Sequence, residues 1–146
     1  MWFYNGNIYD PDDLDPKDLY GFVYLIEHIK SNKKYIGKKF FWSRKTRQVK
    51  GKRKRYITES DWRDYYGSSE KLNEAVDLYG KEEYNRSIIH LCKTKSECAY
   101  LEAYEQFTRN VLLSDEYYND WISVRVTSRH VDKIREMIME KIDDSC

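Results

Sequence analysis

Gly21-Phe22-Val23-Tyr24-Leu25-Ile26, the turn Ser31-Asn32-Lys33 and the return arm Lys34-Tyr35-Ile36-Gly37-Lys38 form the stretch on which the fold depends. The first run is apolar and rich in strand formers, which predicts a central strand. The Ser-Asn-Lys step supplies turn chemistry. The second run then pairs back as the other arm of a hairpin.

Upstream, residues 1–19 hold both prolines, Pro11 and Pro16, and read as an irregular arm, aromatic at first and then acidic. Downstream, Lys38 to Ser60 shows no clear period and is mostly basic, which predicts a long surface loop or an extended hairpin. Ser68-Ser69 can cap a helix running to about Tyr79, with Gly80 as its stop and Leu72, Ala75, Val76 and Tyr79 on one face. Asn85 to Cys92 alternates as a third strand. Thr94-Lys95-Ser96-Glu97 is a capping box opening a helix to about Asn110, with Tyr100, Tyr104, Phe107 and Val111 as its expected apolar stripe. After a turn region from Ser114 to Asn119, Val131, Ile134, Ile138 and Ile142 mark a final amphipathic helix. The order predicts an α/β (α+β) fold, a small three-stranded antiparallel sheet flanked by helices with a basic insertion after the first hairpin. The expected division is an arm (1–19), a domain (20–120, with the insertion at 38–60) and a C-terminal extension (121–146).

The chain has 146 residues, enough for one domain with its own core, and 40% hydrophobic against 35% charged residues fits a soluble globular protein. No run of 18 apolar residues exists and the N-terminus lacks the pattern of a secretory signal, so no membrane association and an intracellular location are expected. Cys92, Cys98 and Cys146 show no paired spacing, which predicts idle or buried thiols rather than a disulfide framework or a zinc site. Net charge is only +1, yet its distribution is uneven. Thirteen of the 26 basic residues lie between Lys30 and Arg55 with no acidic residue among them; the other 13 stand against 25 acidic residues, a net −12. Such a block is a local electrostatic footprint for a polyanion.

Val23-Tyr24, eleven residues before Tyr35-Ile36-Gly37, resembles the paired motif that names the GIY-YIG nucleases. The β-β-α-β-α order, the glutamate on the helix after the third strand, the run from Asp61 to Ser69 and Tyr117-Tyr118-Asn119 are similar to phage-encoded members of that group. The resemblance spans roughly residues 20 to 120. It implies an endonuclease that hydrolyses DNA phosphodiesters with one divalent ion, Mg²⁺ or Mn²⁺, in the cytoplasm of a host cell if phage-encoded. Tyr24 would then be the general base or activator of the attacking water, and Tyr35 would orient that water or touch the phosphate. One arginine would steady the phosphorane with its planar fork of donors: Arg44 by its distance from the second motif, or Arg63 by its nearness to the first helix, with Arg44 preferred. Glu102 would hold the metal, with Glu105 as competitor, and Asn119 would support the site by hydrogen bonding. The first motif departs from the pattern, since its glycine sits one position early. No histidine follows the second motif, leaving Tyr56, Tyr65 or Lys45 as stand-ins.

Cutting a phosphodiester takes a nucleophile, a cation for the added negative charge and a proton for the leaving oxygen. Nearby cations favour an ionised phenol, and Lys34, Lys38 and Lys39 flank Tyr35. Mg²⁺ keeps most of its waters, so one carboxylate is enough to hold it. Double-stranded DNA is the expected partner, gripped through Lys34, Lys38, Lys39, Lys45, Arg47, Lys52, Arg53, Lys54 and Arg55, with a homodimer as a further assembly. No separable DNA-reading module such as a zinc finger is evident. Two rivals stand: a non-catalytic nucleic-acid-binding module on the same fold, and a protein-interaction domain whose basic loop meets an acidic partner.

Overall fold

A computed structural model describes residues 1–145. The expected hairpin forms as β3 (Gly21–His28) and β4 (Lys34–Phe40), in a register that sets Tyr24 opposite Gly37 and Ile26 opposite Tyr35. β7 (Tyr84–Cys92) pairs antiparallel with the other side of β3. The sheet has five strands rather than three, because the N-terminal segment joins it. Trp2–Tyr4 forms β1, parallel to β7, and Asn7–Ile8 forms β2, folded back on β1. The order across the sheet is β2-β1-β7-β3-β4, so β4 is an edge. Asn5 and Gly6 both take positive φ (51° and 80°). That is the geometry of a two-residue turn whose twist matches the strands it joins. The Asn-Gly pair was therefore a readable hairpin signal inside a segment taken as irregular.

Side-chain alternation sends successive strand residues to opposite faces. On one face Trp2, Phe22, Tyr24, Ile26, Phe41 and Trp62 make an aromatic core, covered by Leu72 and Val76 of α1 (Glu70–Tyr79). On the other, Val23 and Ile36 pack with Cys98 and Leu101 of α2 (Lys95–Thr108) and with Ile138 of the C-terminal α4 (Arg135–Ser145). The short α3 (Ser128–Val131) leads into α4. Three layers thus bury the sheet on both faces. A bulge in the β3–β7 register between Val23 and Tyr24 shifts the alternation of β7, so that His90 lies on the α2 side next to Ile89. There its Nε2 meets Glu105 at 2.8 Å.

The caps form where the residue types demand them: the Ser69 hydroxyl accepts from Leu72 N, and Thr94 Oγ1 accepts from Glu97 N. The expected stripe of α2 holds at Val111, which is buried, but fails at two of its rings. Tyr100 and Phe107 are exposed, whereas Cys98, Leu101 and Glu105 face the sheet. Buried ion pairing explains the inversion: Glu105 is held by His90 and Arg109, and Glu97 by Lys141 and the Lys93 amide, so two glutamates occupy the inner face while two aromatic rings do not. Cys92 and Cys98 are buried free thiols, as the spacing suggested, and Cys146 lies outside the described residues. Among the described residues no helix is long and apolar enough to cross a membrane.

The basic insertion is an ordered ribbon. β5 (Trp42–Val49) and β6 (Lys52–Glu59) form a sheet of their own, closed by Lys50 and Gly51, both at positive φ. Trp42, at its base, packs against the aromatic core and donates to the Leu19 carbonyl at 2.9 Å.

Candidate active site

Tyr24 and Tyr35 lie on the same face of adjacent strands, ring centroids 6.1 Å apart. Tyr24 is fully buried, wedged edge-on against Trp2, Phe22 and Tyr65, and among the described residues its hydroxyl makes no well-formed hydrogen bond, the Tyr65 side chain being near enough to act on it. The glycine of Tyr-Ile-Gly makes this possible. A Cβ on Gly37 would collide with the Tyr24 hydroxyl, lie 2.7 Å from its Cζ and lie 2.9 Å from Tyr35 Cε1. Tyr35 is partly buried and its hydroxyl stands 3.3 Å from Ser68 Oγ. It lines an open cleft with Ser68, Ser69, Lys71, Asn119 and Asp120.

Glu102 comes from the opposite layer, on α2, and its side chain is only 12% exposed. Lys38 Nζ donates to its Oε1 at 3.0 Å. Burial pushes the Glu102 carboxyl above the ordinary carboxylate range, against the pull of Lys38. Its charge reaches both phenols. Tyr24 is raised well above the usual tyrosine value by burial, then by Tyr65, Tyr35 and Glu102. Tyr35 is raised by burial, partly offset by Ser68, with Tyr65, Glu102 and Asp120 adding to the rise.

This corrects the expectation that neighbouring lysines favour phenolate. Those cations are already engaged: Lys34 with Glu27, Lys38 with Glu102, and Lys39 with Asp61 at 2.7 Å and over the Tyr65 ring at 4.1 Å. Desolvation then decides the sign.

The remaining expected residues divide. Asn119 is buried and straddles Ile36, accepting from its amide (3.1 Å) and donating to its carbonyl (2.8 Å). It thereby pairs the open edge of β4 between Tyr35 and Gly37. Gln106, which sequence reasoning passed over, donates to the same carbonyl at 3.0 Å. Arg63 is consumed elsewhere: it pairs with Asp10 and Glu59, donates to the Pro11 carbonyl and stacks on Trp62. Arg44 lies exposed on β5. Lys45 and Tyr56 pair on the ribbon, whereas Tyr65 packs on Tyr24 with ring centroids 5.9 Å apart, so of these three Tyr65 is the one that the structure brings against Tyr24. Glu105 is tied to His90 and Arg109.

Arg86 is a buried arginine that sequence reasoning treated only as part of an alternating strand. Its guanidinium lies between Trp2 and Tyr66 and donates to the carbonyls of Arg63 and Tyr65, fixing the segment that brings Tyr65 to Tyr24. An isolated cation among Ile, Tyr and Ser on a core strand was the available signal.

For a metal, the donor set is one carboxylate. Among the described residues no three His, Cys, Asp or Glu side chains cluster as a cage. A single Glu102 fits a hard ion that retains its waters. Lys38 Nζ occupies one of that carboxylate's oxygens, so an ion held there would have to share or displace that lysine.

A family model described as "Putative endonuclease segE, GIY-YIG domain" matches residues 2–122. A protein of Enterobacteria phage T4 described as "Putative endonuclease segE" is 30% identical over 101 residues, covering 69% of this chain and 40% of that relative. The chain thus matches well under half of the relative's length. No solved structure matches the chain.

Proposed function

The chain belongs to the GIY-YIG endonuclease family, and we propose that it hydrolyses phosphodiester bonds of double-stranded DNA with the help of a divalent metal ion. The observation that carries this reading is the pairing of Tyr24 and Tyr35 on one face of the β3–β4 hairpin, around a glycine that leaves their rings room, on an edge strand that also carries Lys38 with its partner Glu102 and runs into a basic ribbon. The phenols act as neutral hydrogen-bonding groups, since burial opposes their ionisation. Tyr35, on the cleft wall, orients the attacking water against the phosphate. Tyr24 holds a hydroxyl with unspent hydrogen-bonding capacity, which receives that water once the Tyr65–Ser68 segment covering it moves aside. Arg44, rather than the fully paired Arg63, is assigned to the phosphate charge, and Lys38 adds a second cation inside the site. Mg²⁺ or Mn²⁺ on Glu102 would supply Lewis acidity to a phosphate oxygen.

Incubation of supercoiled plasmid with Mg²⁺, Mn²⁺ or chelator, for wild type and Glu102→Gln, tests the reading. The expected result is metal-dependent nicking or cutting that the variant loses by about a thousandfold, the several kcal/mol a metal contributes to such a transition state. Duplex binding with no cleavage under any metal would overturn it in favour of a binding module.

A further inference from the structure

The ribbon has two chemically different faces. In an antiparallel pair, directly opposed residues share a face, and faces alternate along each strand. The register pairs Arg44 with Ile57, Thr46 with Arg55 and Gln48 with Arg53, so these six stand on one face. The intervening pairs, Lys45 with Tyr56, Arg47 with Lys54 and Val49 with Lys52, stand on the other. Arginine is therefore the one cation of the first face, accompanied by a glutamine. Lysine dominates the second, where the single arginine, Arg47, is laid over the Tyr56 ring at 5.3 Å. The sorting is not needed for solubility or for general attraction to a polyanion, since either cation serves both.

It matters for geometry. Arginine and glutamine present paired donors and acceptors that match base edges, arginine to guanine O6 and N7 and glutamine to adenine N6 and N7, whereas lysine binds phosphate as a point charge. A two-stranded ribbon fits the major groove, about 12 Å wide. Eight residues in each strand reach roughly 26 Å at about 3.3 Å per residue, enough to lie along a groove beside a docked site. The reading face also has the right side. Trp42 and Glu59, the first pair at the base of the ribbon, belong to it, and both turn toward the aromatic core that holds Tyr24 and Tyr35: Trp42 packs against it and Glu59 accepts from Trp62 Nε1 at 2.8 Å.

We propose that the β5–β6 ribbon is a sequence reader, entering the major groove of duplex DNA with Gln48, Arg53 and Arg55 toward the base edges while Lys45, Lys52 and Lys54 serve the phosphates. This rests on the duplex-DNA reading above and gives the nuclease fold itself a choice of sequence. Arg44, on the same face nearest the base, is left to the phosphate.

The test is selection of duplexes from a randomised library by the full chain in chelator, with sequencing of the bound pool. The proteins compared are wild type, the charge-conserving Arg53→Lys/Arg55→Lys, Gln48→Ala, and Lys45→Ala/Lys52→Ala/Lys54→Ala. Wild type should enrich a short motif containing G·C pairs. The arginine-to-lysine variant should lose its preference at those pairs by tenfold or more each, with its salt dependence intact. Gln48→Ala should relax an A·T position. The lysine variant should bind all sequences more weakly, with the motif retained and the slope of log affinity against log salt reduced by about 2 to 3. An unchanged motif in the arginine variant, a motif altered by the lysine variant, or no enrichment by wild type overturns the proposal. Parallel plasmid cleavage separates the two readings: a selected motif without cleavage sinks the nuclease and leaves the reader standing.

Discussion

Replacing Tyr24 by Phe should make the protein more stable and its chemistry worse. Among the described residues the Tyr24 oxygen is buried without a well-formed hydrogen bond, inside a shell of Trp2, Phe22, Tyr35 and Tyr65 rings. An unsatisfied buried polar group costs about 1–3 kcal/mol relative to its hydrated state in the unfolded chain. Phenylalanine removes that penalty and leaves a gap smaller than a methyl group, which forfeits only a few tenths of a kcal/mol in dispersion contacts, each worth ~0.1–0.2 kcal/mol. The net expectation is a gain of about 1 kcal/mol, or roughly 2–4 °C in Tm for a chain of this size. Urea and thermal unfolding of wild type and variant measure it, with plasmid cleavage beside them. Tyr118→Phe is the internal control: it leaves the Tyr84 hydroxyl, now 3.2 Å from that of Tyr118, without its partner and should cost about 1 kcal/mol. A Tyr24→Phe protein less stable than wild type would show that the hydroxyl is satisfied. A stabilised variant that cleaves at the wild-type rate would show that the ring is only packing.

Three further perturbations probe the same region. Gly37→Ala forces a methyl into two rings that cannot withdraw, at a cost of about 1–3 kcal/mol; combined with Tyr24→Phe, its penalty should fall in a double-mutant cycle, and additive energies would contradict the packing described. Asn119→Ala strips the Ile36 amide of its partner while Gln106 still serves the carbonyl, so a loss of about 1–3 kcal/mol is expected by chemical denaturation, and Asn119→Asp should fare no better because a carboxylate cannot donate to that carbonyl. For Glu105, burial raises the carboxyl but hydrogen bonds from His90 and Arg109 outweigh it, holding the folded group below the ordinary carboxylate range. A depressed carboxylate contributes stability present above its unfolded pKa and lost as pH falls through its folded one. The stability gap between wild type and Glu105→Gln should therefore be full near neutrality and close as pH falls through the depressed folded value of this carboxyl; a gap independent of pH would refute the ion-pair account.

The β3–β4 hairpin, α1 and β7 were legible because each carries its own local signal: strand formers around a turn, a serine cap with a glycine stop, and alternation. β1 was not, since three residues give no period and its pairing with β7 is decided eighty residues away by Trp2 filling the aromatic core. The inner face of α2 was misread for a related reason. Hydrophobic periodicity assumes that apolar residues go inward, and here His90, Arg109, Lys141 and the Lys93 amide make it cheaper to bury Glu97 and Glu105. The orientation of Glu102 was thus anticipated from the wrong stripe. It sits next to the sheet-facing Leu101 and Glu105, where Lys38 meets it.

The same limit governs the site. Residue types told which groups could do the chemistry, but their charge states depend on what each lysine has already paired with. Three lysines in sequence beside Tyr35 look like an engine for ionising a phenol; in space each faces a carboxylate, and the phenols answer to burial instead. The free positive charge is displaced onto the ribbon, whose cations stand exposed. A phosphate drawn in by that ribbon would bring negative charge to an edge where Glu102 already stands buried. The carboxylate and the phosphate can then share one location only if a cation lies between them, and Lys38, already on Glu102, is the one the chain itself supplies there. Lys38→Met should therefore weaken DNA binding in chelator by more than loss of one surface charge, and added Mg²⁺ should restore most of the difference. Equal weakening with and without the ion would mean that Lys38 and the metal do not serve the same oxygen.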